Sequence, residues 1–224
     1  KGSSYEEVTD GLVGARAVFE HEGEIVISDG TVERIMLKTS DIKLVGRHNV
    51  ENYMAAIGVL DGLVSAKSVE TVAKTFGGVE HRLEFVRELD GVKYYNSSID
   101  SSPTRTAAAL SALSEKPVVI CGGYDKNIPF GGLGDTLCTR AKAVVLMGAT
   151  APAIRAAVEN SAYYAESGLI LEEADGLETA VAKARALASE GDTVLLSPAC
   201  ASFDMFKDFE QRGEIFKELV KQLS

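Results

Sequence analysis

The chain has 224 residues, 46% of them hydrophobic, which is enough to bury the core of one large domain or two small ones. Its 23 lysines and arginines against 33 acidic residues leave a formal net charge of −10. Because a field of that sign repels polyanions, the composition excludes a nucleic-acid scaffold. No run of about eighteen apolar residues occurs, so we also expect no membrane span.

The three cysteines, Cys121, Cys138 and Cys200, are scattered and form no C-x-x-C pair. An odd, dispersed set is a poor disulfide framework and a poor zinc site, and the three histidines lack a chelating spacing. We therefore predict buried, reduced thiols in a cytoplasmic protein, with no metal ligands among these residues.

The first third of the chain predicts short strands followed by helices. Asp29-Gly30 is a tight-turn signal between two of the strands, and the apolar residues from Tyr53 to Leu60 have helical spacing. The predicted strands are residues 15–19, 24–28 and 31–37, and the predicted helices are 49–64 and 68–76. Gly77-Gly78 then interrupts the pattern, which places a boundary between domains 1–78 and 79–224.

Strands and helices alternate after this boundary. Asp90-Gly91 predicts a hairpin, and Ser102-Pro103 predicts a helix start with Ser102 as its cap. The predicted strands are residues 83–89, 92–96, 117–121, 143–147 and 193–196, and the predicted helices are 104–113, 152–160, 177–189 and 204–223. Short apolar strands that alternate with helices indicate an α/β fold whose sheet is parallel and covered on both faces.

Ligands of parallel α/β sheets bind beyond the carboxyl ends of the strands, and three of these ends are unusual here. Residues 122–127 combine two glycines, which let backbone amides approach a ligand, with Lys126, a charge suited to a carboxylate or phosphate. Residues 197–204 are small and lead into the last predicted helix, whose free amides could hold an anion. Residues 96–102 are rich in hydroxyl groups.

Each of these segments also has a plain structural explanation: a loop with a solvated lysine, a helix start capped by Ser202, and ordinary turn chemistry. What favours a binding site is that all three ends could converge on one anionic ligand.

Two further groups are candidates for binding a polar ligand. Asn49 and Asn52 share a helix face and could reach one polar ligand, although a helix cap would also explain Asn49. Arg82 places a permanent cation just past the boundary, where the alternative is a surface salt bridge. No G-x-x-x-x-G-K-[ST] phosphate-binding loop occurs in the 224 residues.

Four strings in the sequence carry a family resemblance. In order they are G-R-H-N-V-E-N-Y-M-A-A from Gly46, H-R-L-E-F from His81, G-G-Y-D-K from Gly122 and L-S-P-A-C-A-S-F-D from Leu196. Together they resemble the Mur ligases, and the last string favours the branch that adds D-glutamate. The D-N-P-R motif of the diaminopimelate- or lysine-adding branch is absent.

The resemblance implies a domain organisation. Residues 79–224 would be the carboxyl-terminal, Rossmann-like domain, with a mostly parallel sheet and helices on both faces. Residues 1–78 would be the β-rich and helical end of the central ATP-binding domain. The start at Lys1 would then be a cut inside that domain, with the phosphate-binding loop and the main Mg²⁺ ligands upstream, so these residues alone are expected to be inactive.

The resemblance also implies a reaction of cytoplasmic peptidoglycan precursor synthesis. ATP, with Mg²⁺, would phosphorylate the carboxylate of UDP-N-acetylmuramoyl-L-alanine, and the amine of D-glutamate would attack the acyl phosphate. A monomer with no nucleic-acid or membrane partner is expected. Two alternatives stay open: another Mur or folylpolyglutamate synthase-like ligase, and a non-catalytic nucleotide- or anion-binding module.

Site residues follow from the resemblance position by position. Those expected to bind D-glutamate are Ser101, Lys126, Ser202, Phe203 and Phe209, with Lys126 also catalytic, and those expected to bind ATP are Asn49, Asn52, Arg82 and Ser97. The family pattern N-D-S-x-A has here Ser97 in place of the ribose-binding aspartate and Asp100 in place of the alanine. Because a hydroxyl cannot match a carboxylate that accepts two ribose hydroxyls, we expect weakened ATP binding.

Overall fold

The computed structural model describes residues 4–10 and 14–224. The chain divides into two units, Lys1–Gly77 and Gly78–Ser224, so the division falls one residue before the predicted boundary. The predicted cut at Lys1 lies outside the described residues. Within the described part, no helix is both long enough and apolar enough to cross a membrane.

The first unit is a small antiparallel sheet with helices. Its elements are α1 (Tyr5–Thr9), β1 (Ala17–His21), β2 (Glu24–Ser28), β3 (Glu33–Lys38), a short 3-10 turn (Thr39–Asp41), α2 (Arg47–Val59) and α3 (Ala66–Thr75). The three strands pair in the order β1-β2-β3. The predicted strands and helices are present, but α2 ends at Val59 rather than residue 64, because Gly62 adopts a left-handed conformation (φ +79°) that no helix continues through.

The core of this unit lies between the sheet and α2 and α3. Ile57 is the buried residue of α2 and Ala73 that of α3. They meet the buried strand residues Ile25, Ile27, Met36 and Leu37. This packing fixes which face of α2 turns away from the sheet.

The second unit is a larger α/β sheet. Its strands are β4 (Glu84–Leu89), β5 (Val92–Asn96), β6 (Val118–Cys121), β7 (Ala143–Leu146), β8 (Ile170–Glu173) and β9 (Thr193–Leu196). Its helices are α4 (Pro103–Ala112), α5 (Gly131–Arg140), α6 (Ala151–Glu159), α7 (Tyr164–Ser167), α8 (Leu177–Leu187) and α9 (Phe209–Gln222). The strand order is β4-β5-β9-β6-β7-β8; only the β4–β5 hairpin is antiparallel. The predicted mostly parallel sheet is confirmed.

Alternate residues of the central strands face opposite layers of helices. Val119 and Cys121 of β6 pack in one core with residues of α4, α5 and α6. Val118 and Ile120 of the same strand pack in a second core with residues of α8 and α9. All four side chains are fully buried. A strand buried on both faces needs an unbroken apolar run, which is the pattern V-V-I-C, and the prediction of helices on both faces is confirmed.

Three elements of this unit escaped prediction: α5, α7 and β8. The helix α7 spans four residues, about one turn, which is too short to show a helical period. The helix α5 begins G-G-L-G, and glycine has a poor helix propensity. The edge strand β8 reads I-L-E-E and is half exposed, so it lacks the apolar run that marked the inner strands.

The start of the last helix is corrected by the structure. α9 begins at Phe209 rather than at residue 204, and its cap is Asp208, whose carboxylate accepts from the backbone N–H of Gln211 at 2.7 Å. The carbonyl of Ser202 accepts from Met205 N and Phe206 N in a separate turn. The predictions that Ser202 caps the last helix and that residues 197–204 place an anion at its amino end are therefore wrong.

The predicted cap of α4 is also only partly right. Ser102 occupies the cap position in an extended conformation, but its hydroxyl makes no capping hydrogen bond. It lies instead 3.2 Å from Thr104 Oγ1. The fixed φ of Pro103 at the first helical position remains the local signal for the start of this helix.

Two glycines of α5 provide a test of helix packing with opposite expected signs. A Cβ at Gly134 would lie 2.1 Å from the carbonyl oxygen of Ala157 in α6, whereas a Cβ at Gly132 would meet nothing within 4 Å. We expect Gly134→Ala to destabilise the fold by about 1–3 kcal/mol or more through overpacking. Gly132→Ala should stabilise it by up to about 1 kcal/mol through helix propensity. Chemical denaturation measures both, and two changes of the same sign would contradict this account of the α5–α6 contact.

Candidate functional site

Three loops meet at the carboxyl edge of the sheet. They follow β5, β6 and β9, and β9 lies between the other two strands in the sheet order. Because parallel strands end at the same edge, the three polar or glycine-rich ends identified in the sequence become neighbours. We call them the β5 loop (residues 97–102), the β6 loop (122–127) and the β9 loop (197–208).

The β6 loop is fastened to the β9 loop by backbone hydrogen bonds. Tyr124 N donates to the carbonyl of Ala201 at 2.9 Å, and Gly122 N donates to that of Pro198 at 2.8 Å. A Cβ at Gly123 would lie 2.3 Å from the carbonyl oxygen of Ala201, so only glycine permits this approach. Lys126 therefore follows, by two residues, the backbone hydrogen bond between Tyr124 and Ala201.

Lys126 also joins the β6 loop to the β5 loop. Its Nζ donates to the carbonyl oxygen of Ser101 at 3.4 Å, while the ammonium group stays exposed to solvent. Two of the residues expected to bind D-glutamate are therefore in contact. An exposed ammonium held at a sheet edge can bind an anionic group without the cost of burying its charge.

The other three residues expected to bind D-glutamate lie on the β9 loop and at the start of α9. Ser202 is buried, and Phe203 is 65% exposed, with its ring edge-to-face against Tyr124 at a centroid distance of 6.1 Å. Phe209 packs edge-to-face on His81, and its carbonyl accepts from Ser98 Oγ at 2.7 Å. All five residues expected to bind D-glutamate thus lie on or beside the three loops.

Ser97 lies at the base of the β5 loop and is almost completely buried. Its hydroxyl accepts from Leu83 N at 3.2 Å and donates to the Asp100 carboxylate, which also accepts from Ser197 Oγ at 2.9 Å. Burial raises the pKa of Asp100, and the hydroxyl groups of Ser97 and Ser197 partly oppose that rise. The two positions at which the sequence departs from the family pattern therefore touch each other.

Arg82 is exposed just before β4, and its charge lies near enough to Asp100 to lower the pKa of that carboxyl slightly. Asn49 and Asn52 belong to α2 of the first unit, where Asn52 Nδ2 donates to Asn49 Oδ1 at 3.3 Å. Asn49 Nδ2 donates to the carbonyl of Val45, and Gly46 occupies the cap position. The two amides are therefore adjacent, as their spacing predicted, and Asn49 is not the helix cap.

Arg212 is the residue at this edge that the sequence reasoning missed. Its side chain is 0% exposed, and its guanidinium donates to Ser98 Oγ and to the carbonyls of Ser98, Cys200 and Ala201 at 2.8–3.2 Å. Desolvation lowers the pKa of Arg212 to about 10, so the group stays charged at neutral pH. A signal existed: Arg212 lies three residues after Phe209 and four before Phe216, on the apolar stripe of the helix.

Two residues at the start of the second unit and one in α9 form a group that could hold a metal ion. Ligand atoms of Glu80, His81 and Glu214 lie within 4.8 Å of one another, but Lys217 Nζ already donates to Glu80 at 3.0 Å and to Glu214 at 2.7 Å. Burial disfavours the charged lysine, yet the hydrogen-bonded carboxylates outweigh it and raise its pKa. A cluster that already holds an ammonium group does not fit Mg²⁺, which prefers oxygen ligands and water.

The three cysteines are free and buried. Burial raises the pKa of Cys200 to about 11 and that of Cys121 well above its usual value. Both thiols therefore stay protonated at neutral pH, and the prediction of buried, reduced thiols is confirmed.

Comparison with known proteins identifies the family of the chain. Residues 81–200 match the family described as Mur ligase, glutamate ligase domain. A protein of Acetivibrio thermocellus named UDP-N-acetylmuramoylalanine–D-glutamate ligase is 47% identical over 201 residues, covering 89% of this chain and 43% of the relative. One of the same name from Clostridium beijerinckii is 47% identical over 221 residues, covering 99% and 46%. The chain thus spans less than half the length of these curated relatives.

Solved structures support the fold. The crystal structure of MurF from Acinetobacter baumannii has a TM-score of 0.60 at 14% sequence identity, over 94% of this chain and 44% of that chain. The family match over more than half of the chain and the close relatives lead to one conclusion: the chain belongs to the Mur ligase family.

Proposed function

We propose that these 224 residues are part of an ATP-dependent ligase that adds D-glutamate to UDP-N-acetylmuramoyl-L-alanine in cytoplasmic peptidoglycan synthesis. The observation that carries the proposal is the grouping of Ser101, Lys126, Ser202, Phe203 and Phe209 on or beside three fastened loops. The relatives that share nearly half of the residues carry the name of that ligase, which supports the same assignment.

The residues of this chain would act by binding and orienting the amino acid. Lys126 offers an exposed ammonium for one carboxylate, and the hydroxyl groups of Ser101 and Ser202 can donate to carboxylate oxygens. ATP supplies the activation of the acceptor carboxylate as an acyl phosphate. The amine of D-glutamate must then be held in line with that carbon, and such positioning accounts for several kcal/mol of many barriers, about 7–11 in favourable cases.

Asn49, Asn52 and Arg82 would contact the nucleotide. Two adjacent side-chain amides and a guanidinium are donors suited to phosphate oxygens and to a purine edge. The 224 residues contain no phosphate-binding loop motif, so we propose that they do not turn over ATP by themselves. We further propose that the complete protein acts as a monomer with Mg²⁺.

The proposed function is tested by determining which amino acid the full-length protein uses. The full-length protein is incubated with ATP, Mg²⁺ and UDP-N-acetylmuramoyl-L-alanine, and phosphate release is measured with D-glutamate, L-lysine or L-glutamate added separately. Release only with D-glutamate supports the proposal. Release with L-lysine or L-glutamate favours another Mur or folylpolyglutamate synthase-like ligase, and no release with any of them favours a non-catalytic binding module.

Lys126→Ala should weaken the binding of D-glutamate selectively. A hydrogen bond to a charged group contributes about 1.5–3 kcal/mol, so the KM for D-glutamate should rise about tenfold to a hundredfold while the KM for ATP stays unchanged. Steady-state kinetics of the full-length protein give both values. The matched control is Lys116→Ala, just before β6 at the other end of the same strand. Equal changes in both KM values, or an equal effect of the control, would contradict the role of Lys126.

Replacing Ser97 and Asp100 with the aspartate and alanine of the family pattern should strengthen ATP binding. Ser97→Asp alone would place a second carboxylate against Asp100, and two such groups in contact cannot both ionise without cost. We therefore expect Ser97→Asp with Asp100→Ala to lower the Kd for ATP of the full-length protein, and Ser97→Asp alone to lower it less. Isothermal titration calorimetry measures both. An unchanged Kd in the double variant would show that these positions do not bind the nucleotide.

A further inference from the structure

We infer that Arg212 is a positioning residue that sets the spacing between the β5 and β9 loops and thereby the affinity and stereochemical preference for the amino acid. The inference rests on the proposed function, and it assigns Arg212 no contact with substrate. The guanidinium does not face solvent: its side chain is 0% exposed.

The fork of the guanidinium bridges the two loops directly. On the β5 side, Nε donates to Ser98 Oγ at 3.0 Å and Nη2 to the Ser98 carbonyl at 2.8 Å. On the β9 side, Nη1 donates to the carbonyls of Cys200 and Ala201, each at 3.2 Å, and Nη2 donates to that of Cys200 at 3.2 Å. A planar group with five donors in fixed directions holds its acceptors at a fixed separation.

The same oxygens reach the third loop and the last helix. The carbonyl of Ala201 accepts from Arg212 and from Tyr124 N of the β6 loop. The hydroxyl of Ser98 accepts from Arg212 Nε and donates to the carbonyl of Phe209. Ser101, Ser202 and Phe203 therefore lie within three positions of Ser98 or Ala201, whose oxygens accept from Arg212. Phe209 and the β6 loop that carries Lys126 are each one hydrogen bond further away, through Ser98 Oγ and through the Ala201 carbonyl.

The chemistry of the contacts argues against a simple ion pair. Every acceptor of Arg212 is a neutral oxygen, and among the described residues no salt bridge includes it. Burying a cation that no carboxylate contacts costs free energy, which an apolar side chain of the same volume would avoid. An apolar side chain could not bridge the Ser98 and Cys200 oxygens, so the feature unique to arginine here is the spacing it imposes.

Arg212→Lys in the full-length protein tests this directly, because lysine keeps the charge and loses the fork. We expect the KM for D-glutamate to rise about tenfold or more, as the loss of hydrogen bonds from a charged group predicts, and the KM for ATP to stay within about twofold. The preference for D-glutamate over L-glutamate should fall, since it depends on the relative placement of groups on different loops.

Two further variants separate positioning from folding. Arg87→Lys is the matched control, because Arg87, like Arg212, donates to neutral oxygens, here the carbonyls of Val220, Lys221 and Leu223 at the far end of α9. It should leave the KM for D-glutamate unchanged. Ser98→Ala removes one acceptor of Arg212 and keeps the charge, so it should raise that KM about threefold to tenfold. If Arg212→Lys does not fold, Ser98→Ala decides the question.

The outcomes keep the two proposals distinguishable. If the unaltered protein shows no D-glutamate-dependent turnover, the proposed function fails and the inference fails with it. If turnover is present but Arg212→Lys and Ser98→Ala leave the KM for D-glutamate and the stereochemical preference unchanged, the inference alone is overturned. Equal rises in the KM for D-glutamate and for ATP would also overturn it, because a general loosening of the fold would cause them.

Discussion

The buried guanidinium of Arg212 is the contact on which the edge of the larger sheet depends. Buried backbone carbonyls in loops need hydrogen-bond donors. Here the side chain of Arg212 supplies donors to carbonyls of both the β5 and the β9 loop. The β6 loop is then fastened to the same carbonyl of Ala201. Three irregular segments thus behave as one surface, which is the condition for holding a small anionic ligand in one orientation.

The sheet beneath supplies the rigidity that these loops lack by themselves. Its central strands are only four residues long, but their side chains are buried in two separate helical layers. Because such interiors are close-packed, the strand ends cannot shift independently, and the loops inherit fixed starting points. The exposed groups at this edge, chiefly Lys126 and Phe203, are consequently free to meet a ligand while their neighbours are held.

Sequence patterns predicted the parts of this structure that follow from local chemistry. Apolar runs marked β6, β7 and β9, and Asp90-Gly91 marked the β4–β5 hairpin, because burial and turn geometry leave direct traces in composition. The start of α9 was misplaced, since residues 204–208 are helix-compatible and only the carboxylate of Asp208 decides where the helix begins. The role of Arg212 could not be read from the sequence, because its partners are oxygens of Ser98, Cys200 and Ala201, which lie at least 11 residues away in the chain.

The central claim is that the three loops form one D-glutamate site with Lys126 at its charged end. A crystal structure of the full-length protein with its D-glutamate-bearing product tests this most directly. We expect a carboxylate of the D-glutamyl group within hydrogen-bonding distance of Lys126 Nζ. The glutamyl chain should lie between the β5 and β9 loops, and Arg212 should still be hydrogen-bonded to Ser98 and Cys200. A glutamyl group bound away from Lys126, or between loops that no longer share Arg212, would contradict it.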